Sequence, residues 1–384
     1  MLLGYGARNC WCFKDWLDID LRLDGYVPKE IAQGKNFSTI LGFKGANASG
    51  KTNALKIFAF IADFAQNSFL YPTDSKILFD SFFLNEEKSD FYVEFIINEI
   101  EYRYECTLSK DKVISEILFE IKKAGDYVLF KRNFNKILEN RLYDNATKII
   151  YRDNASFIST LHQYDVKNIH VMSIYEFFSK KIINVTYRGL RHEIDRNIPA
   201  ISNSYFHNKE ALTFTKNLIK KFDTGISDIE ISFREDEAAG KSYFPIFSHD
   251  DAGSIKKLTI DQESSGTKAL YIDLFFYYTN LKSGGVLILD EFDINLHPDI
   301  LPHLIKLFTD NVTNPLSAQM LFTSHNTEIL DILGKYRAYI VEKESGESFA
   351  YRLDEPKTNI LRNDRPISVP YRRHFLGGYP KIEA

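Results

Sequence analysis

Gly45-Ala46-Asn47-Ala48-Ser49-Gly50-Lys51-Thr52 is the stretch on which the reading of this chain turns. Gly45 and Gly50, with four residues between them, let the backbone wrap a phosphate with its N–H groups, so Asn47, Ala48, Ser49 and Gly50 are the candidate cradle. A helix that opens at Gly50 turns the positive end of its dipole toward the same anion. The Lys51 ammonium then reaches the β- and γ-phosphates, and the Thr52 hydroxyl is a candidate Mg²⁺ ligand. The flanks fit this reading. Apolar Ile40-Leu41 lie within a strand expected over Ser38–Gly42, and Leu55, Phe58, Phe60 and Ile61 mark an apolar helix after the loop.

A second element lies 239 residues beyond Lys51, in Gly285-Val286-Leu287-Ile288-Leu289-Asp290-Glu291. An apolar run bounded by glycine reads as a buried parallel strand, and its two carboxylates fall at the edge where α/β sheets bind ligands. The chemistry divides between them. Asp290 is expected in the Mg²⁺ shell and Glu291 to orient or deprotonate an attacking water. Upstream, Glu263-Ser264-Ser265-Gly266-Thr267-Lys268 starts an amphipathic segment, Ala269–Leu281; small hydroxyl residues with glycine make an anion-binding helix start or a plain cap. Downstream, Gln319–Ser324 reads as another buried strand, ending in His325, either a structural histidine or one that senses a γ-phosphate by hydrogen bonding.

Working outward, strands are expected over Leu2–Gly4 and Leu17–Leu23. An antiparallel meander is expected over Phe91–Phe130, with turns at Asn98-Glu99 and Lys110-Asp111. From about 135 to 223 the period lengthens, as in Ala155–Leu161 and Phe206–Lys221, and the reading is an inserted helical arm or lid. That leaves 1–134 and 224–384 as one discontinuous head, with strands and helices alternating to about Asp331. The 384 residues carry a formal charge of −4, but Lys131–Lys221 holds 16 basic and 8 acidic residues, against 32 and 44 elsewhere. Such a basic segment is either a solvated helical surface or a nucleic-acid or acidic-partner footprint. With 44% hydrophobic residues, 19 glycines and 11 prolines, collagen-like and disordered classes are excluded. Apolar runs are too short to span a bilayer, and three cysteines do not make a disulfide framework, so a cytoplasmic protein without membrane contact is expected.

Phosphate loop, serine-glycine helix start, Asp-Glu strand and terminal histidine occur in one order. The stretches Gly45–Asn53, Glu263–Thr267, Leu289–Pro298 and Thr323–Asn326 resemble an ABC-type ATPase head of the SMC/RecF/OLD branch, especially the bacterial AAA-type OLD-like ATPases of abortive-infection and other phage-defence systems. Arg8–Phe13 and Tyr371–Pro380 are similar too. The resemblance implies an α/β P-loop NTPase head with ATP and Mg²⁺ as cofactors. It also implies that Ser265 and Gly266 cap the γ-phosphate held by an opposite subunit, so that two heads sandwich two ATPs. Asn295-Leu296-His297 would form the loop at that interface, and His325 the switch histidine. Two departures stand out: the transporter signature Leu-Ser-Gly-Gly-Gln is absent, with Lys268 at its glutamine position, and no Mg²⁺-sensing glutamine is recognisable beyond the weak candidate Gln163.

The expected function is therefore an ATP-hydrolysing dimerisation switch, forming a homodimer or larger homo-oligomer. It would control a separate effector protein, such as a nuclease, in phage defence; no nuclease is expected in this chain. One rival is a non-catalytic ATP-bound scaffold that cages an effector. Another is an SMC/RecF-like DNA-repair ATPase, disfavoured because no long heptad tract appears. An adenine-stacking edge at Arg8 and Trp11 completes the expectations.

Overall fold

The computed structural model describes residues 1–144, 148–164, 166–190, 197–223, 225–236, 240–356 and 360–380. An antiparallel sheet opens the chain: β1 (Leu2–Arg8), β2 (Leu17–Asp20), β4 (Ser89–Ile97), β5 (Ile100–Leu108), β6 (Val113–Ile121), β7 (Tyr127–Asn133) and β8 (Lys136–Asn140), ordered β2-β1-β4-β5-β6-β7-β8. The expected meander is its body. Asn98 and Glu99, with φ of 48° and 66°, make the two-residue turn whose twist matches the flanking strands β4 and β5.

Beneath it lies a six-stranded sheet of β3 (Ile40–Lys44), β9 (Lys181–Ile183), β15 (Val286–Leu289), β16 (Gln319–Thr323), β17 (Ala338–Glu344) and β18 (Glu347–Arg352). The order is β18-β17-β3-β16-β15-β9, all parallel except β18. Every residue of β3, β15 and β16 is buried, because both sheet faces are covered. Strand alternation divides them. Leu41, Ile288 and Leu321 face a core shared with α2 (Lys51–Asn67) and the antiparallel sheet. Leu287, Met320 and Phe322 face α7 (Ser265–Ser283) and α8 (Leu301–Thr309) on the other side. Short helices α1 (Lys29–Ala32), α9 (Ile329–Leu333) and α10 (Ser368–Arg372) close the edges. After α10 the Tyr371 hydroxyl donates to the Gly378 carbonyl at 2.7 Å, and the Gly378 N–H reaches Glu342 of β17 at 3.0 Å.

The segment 135–223 is helical, but it does not stand away as an arm or lid. β8 completes the antiparallel sheet, α3 (Phe157–Gln163) and α4 (Ile169–Ser179) pack on α2, and β9 is an edge strand of the central sheet. The hairpin β10 (Val185–Thr186) and β11 (Gly189–Leu190) lies on α2, and α6 (Lys209–Phe222) packs on α7. The reason is burial. Phe157, Leu161 and Ile174 lie in one core, Tyr205 and Ile219 in the other. A fully buried ion pair, Arg132 to Glu116 at 2.6 Å, ties the start of α3 down, since Glu116 also accepts the Phe157 N–H.

Two further expectations shift. Phe206–Lys221 is not one helix: α5 (Ile198–His207) stops and Asn208 caps α6, its Oδ1 accepting from Ala211 N at 3.0 Å. Strand-helix alternation also does not begin at 224, because β12 (Ile226–Asp236), β13 (Gly240–Asp251) and β14 (Ser254–Thr259) first form a separate antiparallel sheet. In the basic segment, Lys181 turns inward and donates to the carbonyls of Ala62 and Phe178, so it is no surface phosphate contact. No described helix is long and apolar enough to cross a membrane.

Candidate functional site

Four neighbouring parallel strands deliver the site at their carboxyl ends: β3 runs into the 45–50 loop, β16 into His325, β15 into Asp290 and Glu291, and β9 into Asn184. Asn47, Ala48, Lys51, Thr52, Asp290, Glu291 and His325 line one cavity of about 470 Å³ together with Thr323. Gly50 is the left-handed N-cap of α2 at φ 110°, where a Cβ would lie 2.8 Å from Cys12 Sγ. A Cβ on Gly45 would collide with the Val341 carbonyl.

Lys51 arches back over the loop, its ammonium donating to the carbonyls of Gly45 at 2.9 Å and Ala46 at 2.8 Å. Burial lowers its pKa, and the charges of Asp290 and Glu291 oppose that shift. Ser49 Oγ is buried without a hydrogen-bond partner among the described residues, a polar atom facing the loop it belongs to.

Asp290 is the most constrained group. Its Oδ2 accepts from Thr52 Oγ1 at 2.7 Å and its Oδ1 from Thr323 Oγ1 at 2.6 Å. Asn184 brackets the same residue from the other side: its Oδ1 accepts the Asp290 N–H at 2.7 Å and its Nδ2 donates to the Asp290 carbonyl at 2.9 Å. Glu291 adopts φ 53°, a left-handed turn that a carboxylate side chain rarely takes, and its N–H donates to Thr323 Oγ1 at 2.8 Å. One hydroxyl thus holds the Asp290 carboxylate and the Glu291 backbone. His325 Nε2 stands 3.9 Å from Glu291 Oε1. The His325 carbonyl accepts from Lys44, whose ammonium is lowered to about 8 by burial, with Asp293 opposing and Lys51 adding to the shift.

Ser265 and Gly266 do not join this cavity. They lie at the exposed start of α7, where Ser264 takes the capping role by accepting from Thr267 N at 3.1 Å. A Cβ on Gly266 would sit 3.1 Å from the Asn295 carbonyl, so the helix start and the 293–297 turn approach closely. Arg8 is engaged with Asp90 and Trp11 faces a different cleft, so the expected adenine edge is not assembled on the phosphate cavity. Gln163 ends α3, outside the cavity. Three contributors were missed by the reading from sequence: Thr323, Asn184 and Lys44. Thr323 stood within a quoted motif; Asn184 follows Ile182-Ile183, a two-residue apolar signal too short to read as a strand inside a helical segment.

Residues 40–331 match the family model described as "AAA domain, putative AbiEii toxin, Type IV TA system". The chain belongs to this AAA-domain family. No curated protein matches its sequence. Among solved structures, an SMC head bound to the C-terminal winged-helix domain of ScpA is similar over 92% of this chain and 99% of that one, at 13% identity and a TM-score of 0.51. An SMC head domain from Thermotoga maritima, also at 13% identity, covers 91% of this chain and 98% of its own, with a TM-score of 0.42. The AAA-domain assignment and the SMC-head fold bear out the recognition made from the motifs, an ABC/SMC-like ATPase head related to abortive-infection systems.

Proposed function

We propose that this protein binds Mg²⁺·ATP, hydrolyses it, and uses the cycle to close and reopen a pair of heads that controls a separate effector protein in phage defence. The observation that supports it is Asp290, held between Thr52 and Thr323 at the mouth of a phosphate-loop cavity. A carboxylate and a hydroxyl are hard oxygen donors of the kind Mg²⁺ takes, and the unpartnered Ser49 hydroxyl fits a phosphate-lined loop. Mg²⁺, when bound, neutralises charge on the transferring phosphoryl group. Lys51 binds phosphate oxygens in place of its present carbonyl partners. Glu291 orients or deprotonates the attacking water, and His325 hydrogen-bonds the terminal phosphate from the adjacent strand end. Ser265 has an exposed hydroxyl without a hydrogen bond among the described residues, at a helix start outside its own chain's cavity. That position suits contact with nucleotide on a second copy, with Asn295-Leu296-His297 at the seam. The setting is cytoplasmic.

Glu291→Gln tests this. The amide keeps shape and loses basicity, so ATP should stay bound while phosphate release falls by roughly 10²–10⁴. Light scattering should then show an ATP-dependent doubling of mass. Unchanged turnover in this variant would remove Glu291 from the chemistry, and an ATP-loaded protein of unchanged monomer mass would remove the sandwich.

A further inference from the structure

A second cleft, of about 710 Å³, runs along the α2 face carrying Lys56, Ala59, Phe60 and Asp63. Its opposite wall is the β9–β11 segment, including Ile183, Val185, Tyr187 and Arg188, and Trp11 closes one end. No residue is shared with the cavity that holds Lys51 and Asp290. The volume is that of a small-molecule site, and the walls are mostly aromatic and aliphatic, as in such sites.

What distinguishes the cleft is the state of its polar groups. Lys56 is 8% exposed and makes no hydrogen bond or ion pair among the described residues; its ammonium lies 4.3 Å from the Trp11 ring centre and 5.8 Å from that of Tyr187. Trp11 Nε1 is buried with no acceptor. Nearby acceptors are already committed. Asp63 accepts from Asn67 Nδ2 at 2.7 Å and from the Tyr71 hydroxyl. Asp80 accepts from Lys110 at 2.7 Å and from the Tyr187 hydroxyl at 2.6 Å. The Lys181 ammonium is satisfied by carbonyls and Gln66. Among the described residues, the unpaired polar groups of the residues lining the cleft, Lys56, Trp11 Nε1 and the exposed Arg188, are therefore all donors, and two of the three are cations. A buried indole N–H left without an acceptor is costly, and for the Lys56 ammonium the aromatic faces stand in for only part of what an anion would supply.

We propose that this cleft is a binding site for a small organic anion with a flat apolar body, its acid group held by the Lys56 ammonium and the Trp11 N–H and its ring between Phe60 and the β10 wall. Burial lowers the Lys56 pKa, and a bound acid group would oppose that shift.

The chain has two tryptophans, and Trp16 lies elsewhere, on Tyr92, so a Trp16→Phe protein reports on Trp11 alone. Naphthalene-1-carboxylate is the probe, and naphthalene-1-carboxamide its neutral counterpart. The carboxylate should quench Trp11 saturably at one equivalent, at least about tenfold more tightly than the amide. Lys56→Met should erase that preference. Because Lys56 is buried, Arg188→Glu at the exposed rim is a second variant, expected to weaken the carboxylate alone by about threefold. Saturating ATP should leave the titration unchanged, and so should Lys51→Ala. Equal binding of acid and amide, no saturable quench up to millimolar probe, or displacement by ATP would each overturn the assignment, the last by making the cleft part of the nucleotide site.

Discussion

Two helix starts in this protein look alike on paper and differ in three dimensions. Both α2 and α7 open on small residues with a glycine, Ser49-Gly50-Lys51 and Ser264-Ser265-Gly266. At α2 the helix follows a buried strand, the glycine sits at φ 110°, and the lysine is folded over the loop with 7% exposure. At α7 the start is exposed, the capping bond is made by Ser264, and the strand that precedes it, β14, belongs to the separate antiparallel sheet. A helix start is complete as a phosphate site only where a strand end, a second strand's carboxylate and a cation converge. The α7 start lies outside the cavity that Lys51, Asp290 and Glu291 line, so the ligand proposed for it is the nucleotide of a second copy.

The sharpest break of this contrast is at α2. Lys51→Ala removes the ammonium that the loop is folded around, and nucleotide affinity should fall by about 10²–10³ in calorimetry. Wild-type affinity in that variant would put the nucleotide elsewhere. At α7 the expected effect is on turnover alone. Ser265→Arg should bring hydrolysis to background while each monomer binds ATP within about threefold of wild type, because bulk and positive charge enter the opposing site. Mixed with Lys51→Ala, it should recover part of the activity, since one composite site then pairs an intact loop with an intact α7 start. A verified heterodimer that stays inactive would break the trans reading.

A smaller effect is expected beside the cradle. Asn184→Ala leaves the Asp290 N–H and carbonyl without their bracket, a loss of about 1–3 kcal/mol of stability by thermal melting. Turnover should drop by about tenfold while ATP binding holds. The smallest is a pH effect. With its pKa lowered to about 8, Lys44 is charged below that pH and neutral above it, and an anion bound nearby raises the value. ATP affinity should therefore weaken as pH rises through 8 toward the raised value, the window over which nucleotide-free protein has lost a proton that the complex retains. Lys44→Met should be flat across that window, and an unchanged slope would assign the effect to another group.

The parallel layer was legible because each signal there is local. Ile40–Thr52, Val286–Glu291 and Gln319–His325 each carry strand, turn and functional group within about a dozen residues, and the fold places all three strand ends side by side. The 135–223 segment was not legible as part of the head, since what fixes it is non-local. The Glu116–Arg132 pair, the register of Ile183 against Ile288, and burial of Tyr205 against Tyr271 join residues from 16 to 105 positions apart. Periodicity showed helices there and was silent on what they cover. Asn184 lies where that silence had most effect, at the end of a three-residue strand that exists because β15 offers an edge.

Gln319, at the start of β16, binds both the N–H and the carbonyl of Leu2 and also the carbonyl of Ser38. On the ribosome, those two early strands emerge long before the amide that fastens them. The 239 residues from Lys51 to Asp290 take roughly 12–48 s to add at 5–20 residues per second. For that interval the nascent chain holds a finished phosphate loop and an α2 whose apolar flank has no central sheet to lie on. A half-built site of this kind needs shelter from aggregation, and its Thr52 hydroxyl still lacks the Asp290 carboxylate that accepts from it in the folded protein.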